Sequence, residues 1–156
     1  ETREELVLLA SGCVCCTLRN DLIEALDSLL SQRARGEVPR FSRVLLETTG
    51  LADPAAIIQT LVAHAALRDR VYLDGILCTV DAQLGASTLR AQAIARRQVA
   101  VADRLLLTKR DLVDPAAIPA LEEQLASLNP RAERVWVTPD ADAGALLSGA
   151  GHLDTR

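Results

Sequence analysis

Three of the four cysteines in this 156-residue chain fall inside Cys13-Val14-Cys15-Cys16. Thiolates are soft metal ligands, and the cluster directly precedes a predicted helix whose N-terminal amides favour the ionised thiol. Cys13, Cys15 and Cys16 together suit Zn²⁺ or Cu(I), leaving one coordination position for a fourth ligand or for handing the ion onward. Taken alone, they fit a redox pair or plain burial as well as they fit a metal. Cys78, in the apolar run Gly75-Ile76-Leu77-Cys78-Thr79-Val80, reads as a small core residue. A second candidate lies where the apolar run Arg43-Val44-Leu45-Leu46 ends in Glu47, followed by Thr48-Thr49-Gly50. A carboxylate there can hold a hydrated Mg²⁺, and the Gly50 amide can approach a terminal phosphate with no side chain in the way. A solvated glutamate at a strand end is the plainer alternative.

Of the 17 basic residues, sixteen are arginine, and Lys109 is the only lysine. It stands in Leu107-Thr108-Lys109-Arg110-Asp111, a strand ending in T-K-x-D, which resembles the N/T-K-x-D motif by which GTPases read guanine. In that motif the Asp carboxylate accepts both donors of the guanine edge, the Lys stem lies along the base, and its head ties neighbouring loops together. Adenine lacks the paired donors and would leave the carboxylate buried and unpaired, at a cost of roughly 1–3 kcal/mol. Thr108 stands where Asn is commoner, which changes the first hydrogen bond of the motif while keeping a hydroxyl donor and acceptor. A polar loop after a strand is the alternative for these four residues taken alone.

These residues need a scaffold that brings strand ends together. Short apolar runs alternate with amphipathic segments, the pattern of a parallel sheet with helical crossovers. Strands are predicted at Leu6–Ala10, Arg43–Thr48, Leu73–Val80, Arg104–Leu107 and Arg134–Val137, most as continuous apolar runs covered on both faces. The first helix is predicted over 18–35, with an apolar stripe from Leu18 to Leu30 and Gly36 to Pro39 ending it. Asp53-Pro54 and Asp114-Pro115 mark two further helix starts, and one more helix spans Ala86–Ala102. The expected fold is α/β with a mainly parallel sheet, one domain over 1–156, with 140–156 closing the domain or opening a linker. In open sheets of this kind ligands sit beyond the carboxyl ends of the strands.

Composition narrows the function classes. Aromatics are 2% of the chain against 49% hydrophobic residues, so the core is aliphatic. A net charge of -4 disfavours a nucleic-acid binder or an anionic-membrane binder, either of which needs a concentrated basic face. No apolar run reaches the roughly 18–20 residues that span a bilayer, and Glu1 opens a charged stretch, so a soluble cytoplasmic protein is expected. The chain has no methionine, even at its start, which suggests a piece of something longer.

Taken together, Gly12-Cys13-Val14-Cys15-Cys16, Glu47-Thr48-Thr49-Gly50-Leu51-Ala52-Asp53-Pro54, Val80-Asp81-Ala82, Ala102-Asp103-Arg104 and Thr108-Lys109-Arg110-Asp111 resemble, in order and rough spacing, the CobW family of P-loop GTPases. The likeness runs on through Leu128-Asn129-Pro130. It implies a three-layer P-loop NTPase-like domain and a GTP-dependent metal chaperone, with Cys13, Cys15 and Cys16 as ligands for Zn²⁺ or another transition metal such as Co²⁺. Glu47 and Gly50 would sense Mg²⁺ and the γ-phosphate, and Thr108, Lys109 and Asp111 would read guanine. GTP, a metal ion, a client metalloprotein and a second copy of the chain are the implied partners. Gln98 matches a recurrent family position without a derivable role, and His64 and His152 are possible further ligands without support. The chain departs from the family in one respect. Its single lysine follows Thr108, so no G-x-x-x-x-G-K-[ST] loop exists in these residues, and weak or absent GTP binding by the chain alone is expected. A cysteine module for metal or redox work without nucleotide turnover is the competing reading.

Overall fold

The structure is a computed structural model that describes residues 17–148, so the predicted strand Leu6–Ala10, the cysteines at 13–16 and His152 lie outside the described residues. Its contacts divide the chain into two units, residues 1–47 with 55–72, and residues 48–54 with 73–156.

In the first unit, α1 (Thr17–Arg35) buries Leu22 and Leu30, which share one stripe of the helix. It ends where expected. Gly36 adopts a left-handed φ of 74°, and the amides of Gly36 and Glu37 return to the carbonyls of Arg33 and Gln32 at 3.2 and 3.0 Å. This is the paired closure that only a residue tolerant of positive φ allows cheaply. Helix α2 (Pro54–Ala63) starts at the predicted proline, and α3 (Ala65–Arg68) follows, with Leu67 wholly buried and α3 packed on α1. Arg70 pairs with Asp27 of α1.

The predicted strand Arg43–Thr48 does not form. Residues 42–50 are exposed and carry no ladder, and Leu45 is 67% exposed. Apolar, β-prone residues become a strand only when a neighbouring strand takes up their backbone groups, and no described strand does so here.

The second unit is built on a three-stranded parallel sheet, β1 (Leu77–Asp81), β2 (Arg104–Thr108) and β3 (Glu133–Trp136), in the order β1-β2-β3. Registers Asp81↔Thr108 and Leu107↔Trp136 bring the three carboxyl ends to one edge. Strand β1 begins later than predicted because the Asp103 carboxylate takes the Ile76 amide at 2.8 Å just ahead of the ladder. Leu105 and Leu107, on one face of β2, are fully buried in a cluster with Leu89, Val99, Leu121 and Leu125. Gly85 sits so close to β1 that an added Cβ would lie 2.9 Å from Val80 Cγ1.

The predicted helix Ala86–Ala102 is two helices, α4 (Gly85–Ala91) and α5 (Ala93–Val101), broken at the extended residue Gln92. The Arg96 guanidinium donates to the carbonyls of Leu89 and Arg90 at 2.7 and 3.2 Å, satisfying acceptors that an unbroken helix would have used. Asp114 caps the next start by accepting from the Ala116 amide at 2.9 Å. A single 3-10 turn, Pro115–Ala117, comes before α6 (Ile118–Leu128). The short helix α7 (Ala143–Leu147) is held by Arg104, whose buried guanidinium pairs with Glu133 at 2.7 Å and donates to the carbonyls of Ala145, Leu146 and Ser148. Ala102-Asp103-Arg104 is therefore a structural staple at the amino end of β2, away from the carboxyl edge.

Candidate functional site

The carboxyl edge of the sheet gathers Asp81 with the residues of the T-K-x-D pattern. Thr108 ends β2, and its hydroxyl donates to the Val80 carbonyl across the ladder at 3.4 Å, while its own carbonyl accepts from Ala82 N at 3.0 Å. The hydroxyl thus does tie the motif to the adjacent strand, although to a backbone acceptor. Lys109 then turns into the left-handed region at φ 59°, ψ 38°, the only non-glycine among the described residues with positive φ. Such a conformation costs a β-carbon-bearing residue about 1 kcal/mol and persists where surrounding contacts demand it. Those contacts are visible. The ammonium donates to Asp81 Oδ2 at 2.7 Å, and the Lys109 carbonyl accepts from Leu112 N at 3.1 Å.

Asp81 was legible as part of Val80-Asp81-Ala82 but had no role until the strands were paired. Its Oδ1 accepts from the amides of Gln83 and Leu84 at 2.8 and 3.0 Å, so one carboxylate both shapes the turn after β1 and pins the only lysine. The available clue was a solitary ammonium and an acid that each end a strand. The Lys109 ammonium, with the two amides, holds the Asp81 carboxyl below its ordinary value against the opposing effect of burial. Stability from this pair is therefore present above about pH 4, where the unfolded side chain is also ionised, and is lost as pH falls through the lower folded value. With Lys109 about half exposed, the pair contributes only about 0.5 kcal/mol. Urea unfolding of Asp81→Asn, which keeps the amide-accepting oxygen, is expected to show that deficit at pH 7 and a shrinking one at pH 3. A deficit that holds constant or grows on acidification would contradict this assignment.

Asp111 lies in the 3-10 turn Arg110–Leu112, exposed beyond the sheet edge. Arg110 beside it stacks over the Trp136 ring at 4.9 Å, and Trp136 donates to Glu122 at 3.2 Å, so the turn is seated on β3 and α6. The structure thus brings Thr108, Lys109 and Asp111 together at the ends of β1 and β2.

Gly50 belongs to the same unit, within a turn closed by Ala52 N donating to Thr49 O at 3.0 Å. Gln98 of α5 donates to the carbonyls of both Gly50 and Ala52 at 3.1 Å, and Arg97 pairs with Asp53 at 3.0 Å. Gly50 and Leu51 wall a cleft of about 330 Å³ together with Thr79, Asp81, Thr88 and Gln98. Cys78 also lines it, and burial pushes that thiol up to about 11, in keeping with an inert core cysteine. Glu47 is exposed and belongs to the other unit. Among the described residues no three His, Cys, Asp or Glu side chains form a metal-holding group, and no helix is long and apolar enough to cross a membrane. Cys13, Cys15 and Cys16 lie outside those residues.

The profile of the CobW/HypB/UreG nucleotide-binding domain matches residues 1–135. The chain is 40% identical over 150 residues to the zinc chaperone YjiA of Escherichia coli, covering 96% of this chain and 46% of that protein. It is 33% identical over 139 residues to the zinc-regulated GTPase metalloprotein activator 1 of Schizosaccharomyces pombe, covering 88% of this chain and 33% of the relative. The crystal structure of Zn(II)-bound YjiA GTPase from E. coli superposes with a TM-score of 0.77 at 41% identity, over 86% of this chain and 42% of that one. The chain thus spans less than half the length of these relatives. With the α/β fold, the parallel sheet and the T-K-x-D edge all in agreement, the chain belongs to the CobW/HypB/UreG family through its nucleotide-binding domain.

Proposed function

We propose that the protein is a GTP-dependent metal chaperone of the cytoplasm, in which nucleotide state governs the holding and release of a transition metal destined for a client protein. The observation that carries this reading is the strained Lys109 pinned to Asp81, which leaves Asp111 exposed beyond the sheet edge. A carboxylate so held accepts from the ring N–H and the exocyclic amine of guanine, while the lysine stem lies along the base. An added Cβ at Gly50 would meet nothing within 4 Å, so neither packing nor backbone angle calls for glycine there. An approaching phosphate would call for it. Glu47 offers an exposed hard oxygen of the kind that a hydrated Mg²⁺ takes. Cys13, Cys15 and Cys16 hold the cargo metal, Zn²⁺ or Co²⁺, in a three-thiolate set that leaves a position open for transfer. Relatives named as zinc chaperones support zinc as that cargo.

The test is zinc affinity of the whole protein, measured by chelator competition with GDP and with a non-hydrolysable GTP analogue. Changing Cys13, Cys15 and Cys16 together to serine is expected to weaken zinc binding at least about a hundredfold, since a hydroxyl does not ionise to replace a thiolate. Undiminished uptake would remove the metal assignment. Equal affinity in both nucleotide states would leave a metal module without coupling.

A further inference from the structure

We infer that Gln98 is a positioning residue that sets the direction in which the Gly50–Ala52 turn presents its amides, a role that rests on the reading of Gly50 as the phosphate-sensing residue. One primary amide donates to two carbonyls of the same turn, Gly50 O and Ala52 O, each at 3.1 Å. The Gly50 and Ala52 carbonyls share their peptide planes with the Leu51 and Asp53 amides, so fixing both carbonyls orients those N–H groups and steadies the Gly50 amide between the held Gly50 carbonyl and the Thr49 carbonyl that Ala52 N engages. The turn is closed a second time by Ala52 N to Thr49 O at 3.0 Å and tied at its far end by Asp53 to Arg97 at 3.0 Å. Gln98 and Arg97 are neighbours on α5, so two successive side chains of one helix hold Gly50, Ala52 and Asp53 of the loop.

The helix that carries them is itself rigidly seated. Val99 is 2% exposed in the core, and Asn129 grips the carbonyls of Val99, Ala100 and Ala102. Gln98 is half-buried at the wall of the cleft that Gly50 and Leu51 also line. A Gln98 side chain used only for solubility would not be placed there. Because catalysis by main-chain amides depends on geometry held to a fraction of an ångström, loosening the turn costs rate while leaving the base-reading edge intact.

The experiment uses the whole protein with Gln98→Leu, which keeps helix propensity and approximate volume but cannot donate, and Gln98→His at pH 8, which restores a neutral N–H donor. Three quantities are read: kcat for GTP, affinity for GDP, and amide exchange at residues 50–53. The expected result is a fall in kcat of about tenfold or more in Gln98→Leu, with GDP affinity within about twofold because GDP lacks the group the turn addresses, and partial recovery in Gln98→His. A kcat within about twofold of the unaltered protein overturns the inference, as does a matching loss of GDP affinity and Tm, which marks a merely structural role. Should the unaltered protein turn over no GTP, the functional reading fails by itself, and exchange then decides the role of Gln98. Exchange about tenfold faster in Gln98→Leu upholds the clamp, and unchanged exchange refutes it.

Discussion

Replacing Asn129 by alanine is expected to destabilise the sheet-bearing unit by about 3–5 kcal/mol, with urea denaturation as the measurement. Asn129 is 8% exposed and uses all of its side-chain polar capacity. Its Nδ2 donates to the carbonyls of Val99, Ala100 and Ala102 at 2.9, 3.3 and 2.8 Å where α5 ends, and the Val99 carbonyl also accepts from Ala102 N at 3.3 Å. Its Oδ1 accepts from the amides of Arg131 and Ala132 at 3.2 and 3.1 Å, shaping the turn into β3. Alanine takes a partner from five backbone groups, of which the Val99 carbonyl keeps the Ala102 amide, and each buried group left unmatched costs about 1–3 kcal/mol before relaxation. Asn129→Asp should be nearly as damaging despite its similar shape, since it sets an anion against three carbonyl oxygens. A loss under about 1 kcal/mol in the alanine variant would mean that the helix end finds other donors and that this hub is dispensable.

The second large effect concerns the base. Asp111→Asn in the whole protein is expected to weaken GTP binding relative to xanthosine triphosphate about a hundredfold or more, measured by competition for one nucleotide site. The carboxylate offers two acceptors to guanine's two donors, whereas the amide offers one acceptor and one donor, the complement of the ring N–H and carbonyl of xanthine. Asp111 is exposed and lies outside the β-ladder, so the change should leave folding within about 0.5 kcal/mol and isolate recognition. Retained preference for GTP would remove Asp111 from the base-reading role and with it the guanine specificity of the edge.

These two residues also show how differently the sequence exposed its parts. Thr108-Lys109-Arg110-Asp111 was readable because a single lysine among sixteen arginines stands at the end of an apolar run, and both signals are local. Leu128-Asn129-Pro130 matched a family pattern, yet the function of its asparagine depends on three carbonyls 27 to 30 residues away. The break at Gln92 escaped the pattern of the Ala86–Ala102 stretch for the same reason. Its apolar periodicity is continuous, whereas the break shows only in the extended Gln92 and in the reach of Arg96 back to Leu89 and Arg90. Asp103 and Arg104 entered only as part of the family pattern, and the structure shows them bracing the amino end of β2.

The sequence by itself determined the class of fold and, to within a residue, the places where α1, α2, β2 and β3 begin, and it singled out the residues whose chemistry suits a base or a soft metal. Helix caps, apolar periods and side-chain chemistry are properties of neighbours along the chain, and they act before any long-range contact is made. The tertiary structure alone decided that Asp81 holds Lys109, that Gln98 grips the Gly50 turn, and that Arg43–Thr48 forms no strand. Each of these depends on which backbone groups meet across a ladder or a crossover, and the spacing of residues in one strand carries no record of its partner.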